Sequence, residues 1–178
     1  MKKNLTILAL AWSCFCISCN SKTEAPVSAA TQKNLDAMHG VTKAFETSDF
    51  SKLGDYIAQD AVDHAGENGD LKGLDSIKAE FAKSNAQMGS QKSETIKELA
   101  DDEYVMSWMH YSEVMKTDGM GLKAGDTLNI KTLEVARFVD GKAVEHWSFM
   151  EPRDVMKMMA SMPKSTMPMS VDSAKKKM

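Results

Sequence analysis

Cysteine is scarce in this sequence, and none of it lies in the main body of the chain. Cys14, Cys16 and Cys19 are the only cysteines among 178 residues, and all three fall near the N-terminus. No later cysteine is present as a partner, so the rest of the chain offers neither a disulfide framework nor a thiolate metal site. The sequence also has no internal repeat.

A membrane-spanning run is missing from the N-terminus as well. The apolar residues 5–17 follow Lys2 and Lys3 and are too few to cross about 30 Å of hydrocarbon. A short positive segment, an apolar run and a segment of small residues, in that order, predict a secretory signal.

Residues 17–19, Ile-Ser-Cys, resemble the lipobox of bacterial lipoproteins. In those proteins a peptidase cuts before the cysteine, which then carries acyl chains such as palmitate. The resemblance therefore implies a signal peptide at 1–18 and a lipid anchor at Cys19, although Cys16 stands where leucine is usual. Ordinary secretion with cleavage nearby is the alternative. The polar residues 19–32 are expected to form a flexible tether.

No basic patch is apparent in the mature domain. Removing residues 1–18 takes away two lysines and no acidic residue, so the net charge changes from −3 to −5. The lack of a basic patch argues against a nucleic-acid partner. Residues 33–162 carry the hydrophobic patterning and are enough for one domain with its own core. The polar, lysine-ended residues 163–178 are expected to be disordered.

The hydrophobic period changes once along the domain. It is helical up to about residue 88, apart from a short predicted strand at residues 61–65, and then becomes two over residues 93–99, 103–116, 126–139 and 142–150. Asp140-Gly141 predicts a hairpin, and Pro152 suits the first position of a final helix. The apolar pair Leu128 and Ile130 is out of phase with Leu133 and Val135, which predicts a bulge. We expect an α+β domain whose curved antiparallel sheet wraps around N-terminal helices and leaves a pocket.

Three segments resemble SnoaL-like domains of the nuclear transport factor 2-like superfamily. They are AFETSDFSKLGDYIAQDAVDHA, GLDSIKAEF and RFVDGKAVEHWSFMEP, in the order that the family has them. The resemblance implies a cone-shaped α+β barrel that is open at one end. It does not imply one chemistry, because the superfamily includes isomerases, cyclases, dehydratases and members without catalysis.

The resemblance also implies a candidate catalytic residue. In the SnoaL-like cyclases an aspartate four residues after the last tryptophan acts as acid and base, and Glu151 occupies that position after Trp147. On a regular strand Trp147, Phe149 and Glu151 share one face. A carboxylate in an apolar pocket gains a higher pKa and becomes a general base. Alternatively, Glu151 caps the helix that starts at Pro152, which would lower its pKa.

Two histidines are the candidate partners of Glu151. His64 and His110 could each polarise a carbonyl or carry a proton near neutral pH, or could simply be half-buried histidines. His146 is expected to point away from the Trp147 face. No ligand spacing indicates a metal site, although His64, His110 and a carboxylate leave zinc or iron open.

Four aromatic residues are expected either to line a ligand pocket or to belong to the core: Trp108, Tyr111, Trp147 and Phe149.

Two functional hypotheses follow from the sequence. In the preferred one, a lipid-anchored envelope protein binds a small apolar ligand or another envelope protein without catalysis. In the other, the domain is a cofactor-independent isomerase or cyclase that uses Glu151. Dimerisation through the open sheet face is left open.

Overall fold

The computed structural model describes residues 27–66, 68–119 and 121–161. The expected signal peptide, the anchor at Cys19, most of the tether and the tail at 163–178 lie outside these ranges. Within them, no helix has the length and apolar character needed to cross a membrane.

Four helices frame the domain. They are α1 Ala29–Thr47, α2 Leu53–Tyr56, α3 Leu74–Gln87 and α4 Pro152–Ser161. The hydroxyl of Ser28 accepts the amide of Thr31 and caps α1, and Ser48 ends that helix in the left-handed conformation. The final helix begins at Pro152, where a missing N–H costs nothing.

Six strands form one mixed sheet. They are β1 Ile57–Asp63, β2 Leu71–Lys72, β3 Met88–Ala100, β4 Tyr104–Met115, β5 Thr127–Val139 and β6 Lys142–Met150. Their order is β2-β1-β6-β5-β4-β3. The described pairs are antiparallel except β1 and β6, which run parallel. The expected α+β class and curved sheet are confirmed, and the sheet is mixed rather than wholly antiparallel.

The turn between β5 and β6 matches its sequence signal. Asp140 and Gly141 both have positive φ, at 53° and 75°. Two such residues in succession give the tight turn whose twist suits a β-hairpin, and aspartate followed by glycine adopts it at low cost.

Two groups of buried side chains join the helices to one face of the sheet. The first group is Ala44, Leu53, Ile57, Ala61, Leu74 and Ile77. The second is Ala37, Met38, Val105, Ala136 and Phe138. Between these two groups, the curved sheet and the helices leave the space in which the candidate site lies.

The predicted bulge in β5 is wrong. This strand pairs with β4 without a register shift from Thr127 to Arg137, and its irregularity lies against β6, between Arg137 and Phe138. Thr132 and Glu134 are buried, whereas Leu133 between them is 38% exposed. The phase change in the sequence therefore marks polar residues on the inner face and apolar residues on the outer face.

Candidate functional site

A cavity of about 1270 Å³ lies between the helices and the inner face of the sheet. Much of its wall is apolar, and the large side chains there include Met38, Phe45, Ile57, Ile77, Phe81 and Phe138. Its volume exceeds the roughly 300–1,000 Å³ that is usual for small-molecule pockets. The cavity is therefore large enough for an organic molecule of considerable size.

Three charged side chains meet on the cavity wall. His146 Nδ1 lies 2.9 Å from Asp63 Oδ1, and His146 Nε2 lies 3.0 Å from Glu134 Oε2. The three residues come from β1, β6 and β5, which are neighbours in the sheet, with the histidine on the middle strand. We call Asp63, His146 and Glu134 the carboxylate–imidazole array.

The carboxylates decide the charge of His146. Burial lowers the pKa of the imidazole, but the hydrogen bonds and charges of Asp63 and Glu134 outweigh it and raise the pKa to about 9. Burial acts in the opposite sense on Asp63, where the hydrogen bond and charge of His146 prevail and lower the pKa. At neutral pH the array is thus an imidazolium between two carboxylates, with a net charge of −1.

The hydrogen bonds of the array leave one oxygen open. Glu134 Oε1 accepts from Thr132 Oγ1 at 2.5 Å and from Ser148 Oγ at 3.1 Å. Asp63 Oδ1 also accepts the amide of Ala65 at 2.9 Å. Asp63 Oδ2 has no hydrogen bond with any residue in the described ranges, and it remains accessible to a water-sized molecule. Because both nitrogens of His146 are engaged, Asp63 Oδ2 is the atom best placed to accept a donor from a ligand.

A second polar group lies further along the cavity on β4. Glu113 lines the cavity, is 6% exposed, and has no hydrogen bond or ion pair with any residue that the structure describes. Burial raises the pKa of its carboxyl group. Burial also raises the pKa of Tyr111, and the charges of Glu134 and Glu46 act in the same direction, so the Tyr111 hydroxyl stays a donor.

Three of the four predicted wall residues lie on the other face of the sheet. Trp108 is 39% exposed, with Lys131 Nζ 5.7 Å from its ring centroid, and Phe149 is 57% exposed. Trp147 stacks on His64 with ring centroids 5.0 Å apart. These three residues do not line the cavity, and Tyr111 does. The expected faces of β6 are therefore corrected: His146 faces inward and Trp147 faces outward, the reverse of the prediction.

The three predicted catalytic side chains are not brought together. His64 Nδ1 contacts Asp70 Oδ1 at 3.0 Å, and His110 Nδ1 lies 3.9 Å from Glu94 Oε2 on the neighbouring strand. The Glu151 carboxylate lies 3.8 Å from Arg153 Nη2.

Glu151 also fails to match either of its two predicted positions. It is not part of the cavity wall. Its backbone carbonyl, rather than its side chain, accepts the amides of Asp154 and Val155 at the start of α4. The expected catalytic arrangement is thus corrected, and the chemical roles of His64, His110 and Glu151 stay predictions.

The site residues that the sequence analysis missed stand beside residues that it selected. Asp63 precedes His64, and His146 precedes Trp147. Thr132 and Glu134 were a sequence signal for the site. These two polar residues alternate in phase with Ala136 and Phe138, so they lie on the buried face of β5. Among residues 27–66, 68–119 and 121–161, no group of three histidine, cysteine or acidic side chains is arranged to hold a metal ion.

The fold and this cavity agree with a family assignment. The family model of SnoaL-like polyketide cyclases matches residues 35–160. The chain belongs to that family. No curated protein matches it.

Several solved structures share the SnoaL-like fold. AclR, a putative hydroxylase from Streptomyces galilaeus, is 19% identical, with 75% of this chain and 99% of that chain covered at a TM-score of 0.61. IdmH, a putative polyketide cyclase from Streptomyces antibioticus, is 20% identical, with 71% and 98% covered at 0.61. An LEH-like epoxide hydrolase from M. tuberculosis is 13% identical, with 73% and 91% covered at 0.60. At these identities the likeness concerns the fold alone.

Proposed function

We propose that this SnoaL-like domain binds a small, largely apolar and uncharged molecule in its cavity, with a hydrogen-bond donor of the ligand against Asp63. The observation that carries this proposal is the carboxylate–imidazole array in the wall of an apolar cavity. Charged side chains are costly to bury, and a titratable group with a shifted pKa in a concave site often marks a functional site.

The charge of the array restricts the ligand. Two carboxylates and one imidazolium leave a net negative charge, which disfavours a carboxylate or phosphate ligand in the same cavity. An open carboxylate oxygen at Asp63 instead suits a hydroxyl or N–H donor. The apolar remainder of the wall suits hydrocarbon or aromatic groups.

We propose further that the domain acts in the bacterial cell envelope, held there through lipid on Cys19. The support is the signal-like N-terminus with its Ile-Ser-Cys segment. The helix α1 begins at Ala29, so roughly ten residues separate the anchor from the folded domain. A flexible tether of that length has a root-mean-square end-to-end distance of about 16–19 Å.

An enzymatic role is the second candidate. Its support is family membership, together with a buried cavity carboxyl group, Glu113, whose pKa is raised. Solved structures with the same fold include proteins described as a putative polyketide cyclase, a putative hydroxylase and an epoxide hydrolase. If this chain catalyses proton transfer without a cofactor, Glu113 is the candidate acid or base, because it is the cavity carboxyl group with a raised pKa, whereas Glu151 does not line the cavity.

Native mass spectrometry of the chain released from mild detergent tests the proposed function. A retained organic molecule, absent when the cavity is blocked by Ala136→Trp, is the expected result. A protein that carries no small molecule and binds none from a metabolite extract, but captures an envelope protein, would overturn it.

A further inference from the structure

One buried side-chain oxygen has no hydrogen-bond donor. Across the described residues, Gln91 Oε1 is the single buried side-chain nitrogen or oxygen atom without a partner. Most buried polar atoms in folded proteins are hydrogen-bonded, because an unpaired one has lost its hydration without compensation.

Turning the Gln91 amide around would not solve this problem. Asn85 Nδ2 donates to the carbonyl of Phe45 and to Ser48 Oγ, each at 3.0 Å. A backbone carbonyl can only accept, so the Asn85 amide is fixed with Oδ1 toward Gln91. Gln91 Nε2 donates to that oxygen at 2.6 Å. The amide of Gln91 is thereby fixed in turn, with Oε1 left as an acceptor that needs a donor.

Glu113 lies opposite Gln91 on the neighbouring strand. Gln91 on β3 and Glu113 on β4 are cross-strand partners in the antiparallel register. Side chains at such positions lie on the same face, with Cβ atoms about 5 Å apart. Glu113 is buried and has no partner of its own within the described residues. An ionised carboxylate cannot donate to Gln91, but a protonated one carries the single O–H that is missing.

We infer that Glu113 is a neutral acid in the folded protein, that it donates its proton to Gln91 Oε1, and that with Tyr111 it forms a second polar subsite for a hydroxyl group of the ligand. The protonation of Glu113 is inferred from residues of this chain and does not depend on a ligand. The ligand part rests on the proposed function, and it adds a chemical class: an elongated, uncharged molecule with a hydroxyl group near each end.

The chemistry of the subsite favours a hydroxyl group. Tyr111 is two residues from Glu113 on the same face of β4, and its hydroxyl has no partner among the described residues. That hydroxyl can donate. The second oxygen of a protonated Glu113 can accept. A ligand hydroxyl group does both, whereas a carboxylate would place a charge in apolar surroundings and could not donate.

The register separates the subsite from the array. Asp63 is level with Val105 on β4, through the register pairs Asp63–His146, His146–Ala136 and Ala136–Val105, and Glu113 lies eight residues further along that strand. At about 3.4 Å per residue the two polar points are roughly 27 Å apart along the strand direction between Cα atoms, and less between side-chain tips across the curved sheet. Both line one cavity, so one elongated molecule can reach from Asp63 to Glu113.

Other charged groups around the cavity do not account for the state of Glu113. Those that line it are Asp63, Glu80, Lys83, Asp118, Lys123, Glu134, Glu145 and His146. On α1, Glu46 acts on Tyr111 and accepts hydrogen bonds from Ser93. Burial is the cause that raises the pKa of Glu113.

The first test concerns protonation and needs no ligand. Infrared spectra of the full chain at pH 7 should contain the C=O stretch of a protonated carboxyl group. Glu113→Gln should remove that band, and Glu80→Gln, which alters an ion-paired cavity glutamate, should leave it. A band that persists in Glu113→Gln as well as in Glu80→Gln would overturn the inference.

Stability against pH gives an independent readout of the same group. A raised pKa means that the contribution of Glu113 is present below the unfolded-state pKa and is lost as pH rises through the folded pKa. Glu113→Gln keeps a donor for Gln91, so its melting temperature should exceed that of the wild type by a margin that grows with pH. Glu113→Ala lacks the donor and should melt lower than Glu113→Gln at every pH. A margin that does not change with pH would contradict the inference.

The second test uses a matched set of probes, namely 1-dodecanol, 1,12-dodecanediol and dodecanedioate. The diol should bind the wild type about tenfold more tightly than the mono-alcohol, since one further hydrogen bond is made, and the diacid should bind most weakly. Glu113→Leu and Tyr111→Phe should abolish the advantage of the diol, and Glu113→Gln should keep most of it. If the mono-alcohol binds and the diol has no advantage, the subsite is wrong and the proposed function stands. If neither alcohol binds, the proposed function fails as well.

Discussion

Asp63 and His146 are joined by a 2.9 Å hydrogen bond across the parallel pair of strands β1 and β6. They are register partners in that pair, although 83 positions separate them in the chain. The contact therefore depends on the final strand docking beside the first one. It ties the closure of the sheet to the assembly of the carboxylate–imidazole array.

Stability should fall at alkaline pH because of His146. Its folded pKa of about 9 lies above the ordinary value of 6.5. The array's contribution is thus fully present below pH 6.5 and disappears as pH rises through about 9, an effect of up to roughly 3 kcal/mol. Urea unfolding between pH 6 and 10 in the Glu113→Gln background, where Glu113 no longer titrates, measures it. A free energy that is constant over this range would contradict an imidazolium at position 146.

Removing the imidazole of His146 should lower the free energy of unfolding far more than removing an imidazole on the outer face of the sheet. His146→Leu leaves Asp63 and Glu134 as buried like charges, and breaking a buried ion pair from one side typically costs about 3–5 kcal/mol. The matched control is His110→Leu, which removes an outer-face imidazole 3.9 Å from an exposed glutamate and should cost less than about 1 kcal/mol. Equal losses in the two variants would argue that the array is not coupled.

The outer face of the sheet predicts self-association. Met106, Trp108, Leu133 and Phe149 expose between 38% and 57% of their surface there. Exposed apolar side chains on neighbouring strands often mark a surface that binds another protein. Sedimentation velocity should find a dimer that Phe149→Lys dissociates. The control is Met156→Lys, at a residue 66% exposed on α4, which should leave it intact. A wild-type monomer at high micromolar concentration would rule out this interface.

Lipidation at Cys19 is open to a direct check. Cells fed an alkyne-tagged palmitate should label the wild-type protein, and Cys19→Ala should accumulate as an unlabelled precursor that retains residues 1–18. Cys16→Ala is the matched control and should be labelled normally. Label on Cys19→Ala would move the anchor elsewhere.

The sequence was enough to predict the change from helices to long strands, since helical and alternating periods are local properties, but the two-residue strand β2 is too short to show a period. The hairpin at Asp140-Gly141 was predicted from that pair of residues, and the start of the last helix from Pro152. The parallel neighbour of β6 was not predictable, because pairing between distant strands leaves no local mark. Leu133, Trp147 and Phe149 misled the assignment of faces. Beside them Thr132, Glu134 and His146 face the cavity, so in this part of β5 and β6 the polar residues lie inside and the apolar ones outside. A strand with that inverted pattern gives the wrong face when hydrophobicity alone decides.

The measurement that tests the proposed ligand site most directly is a binding titration of 1-dodecanol against three forms of the full chain. Asp63→Asn removes the charge of the acceptor in the array, and Asp70→Asn removes the carboxylate that contacts His64 outside the cavity wall. We expect the wild type and Asp70→Asn to bind alike and Asp63→Asn to bind about tenfold more weakly, as for the loss of one hydrogen bond to a charged group. Equal affinity in all three forms, or no binding to the wild type, would contradict a ligand site at the array.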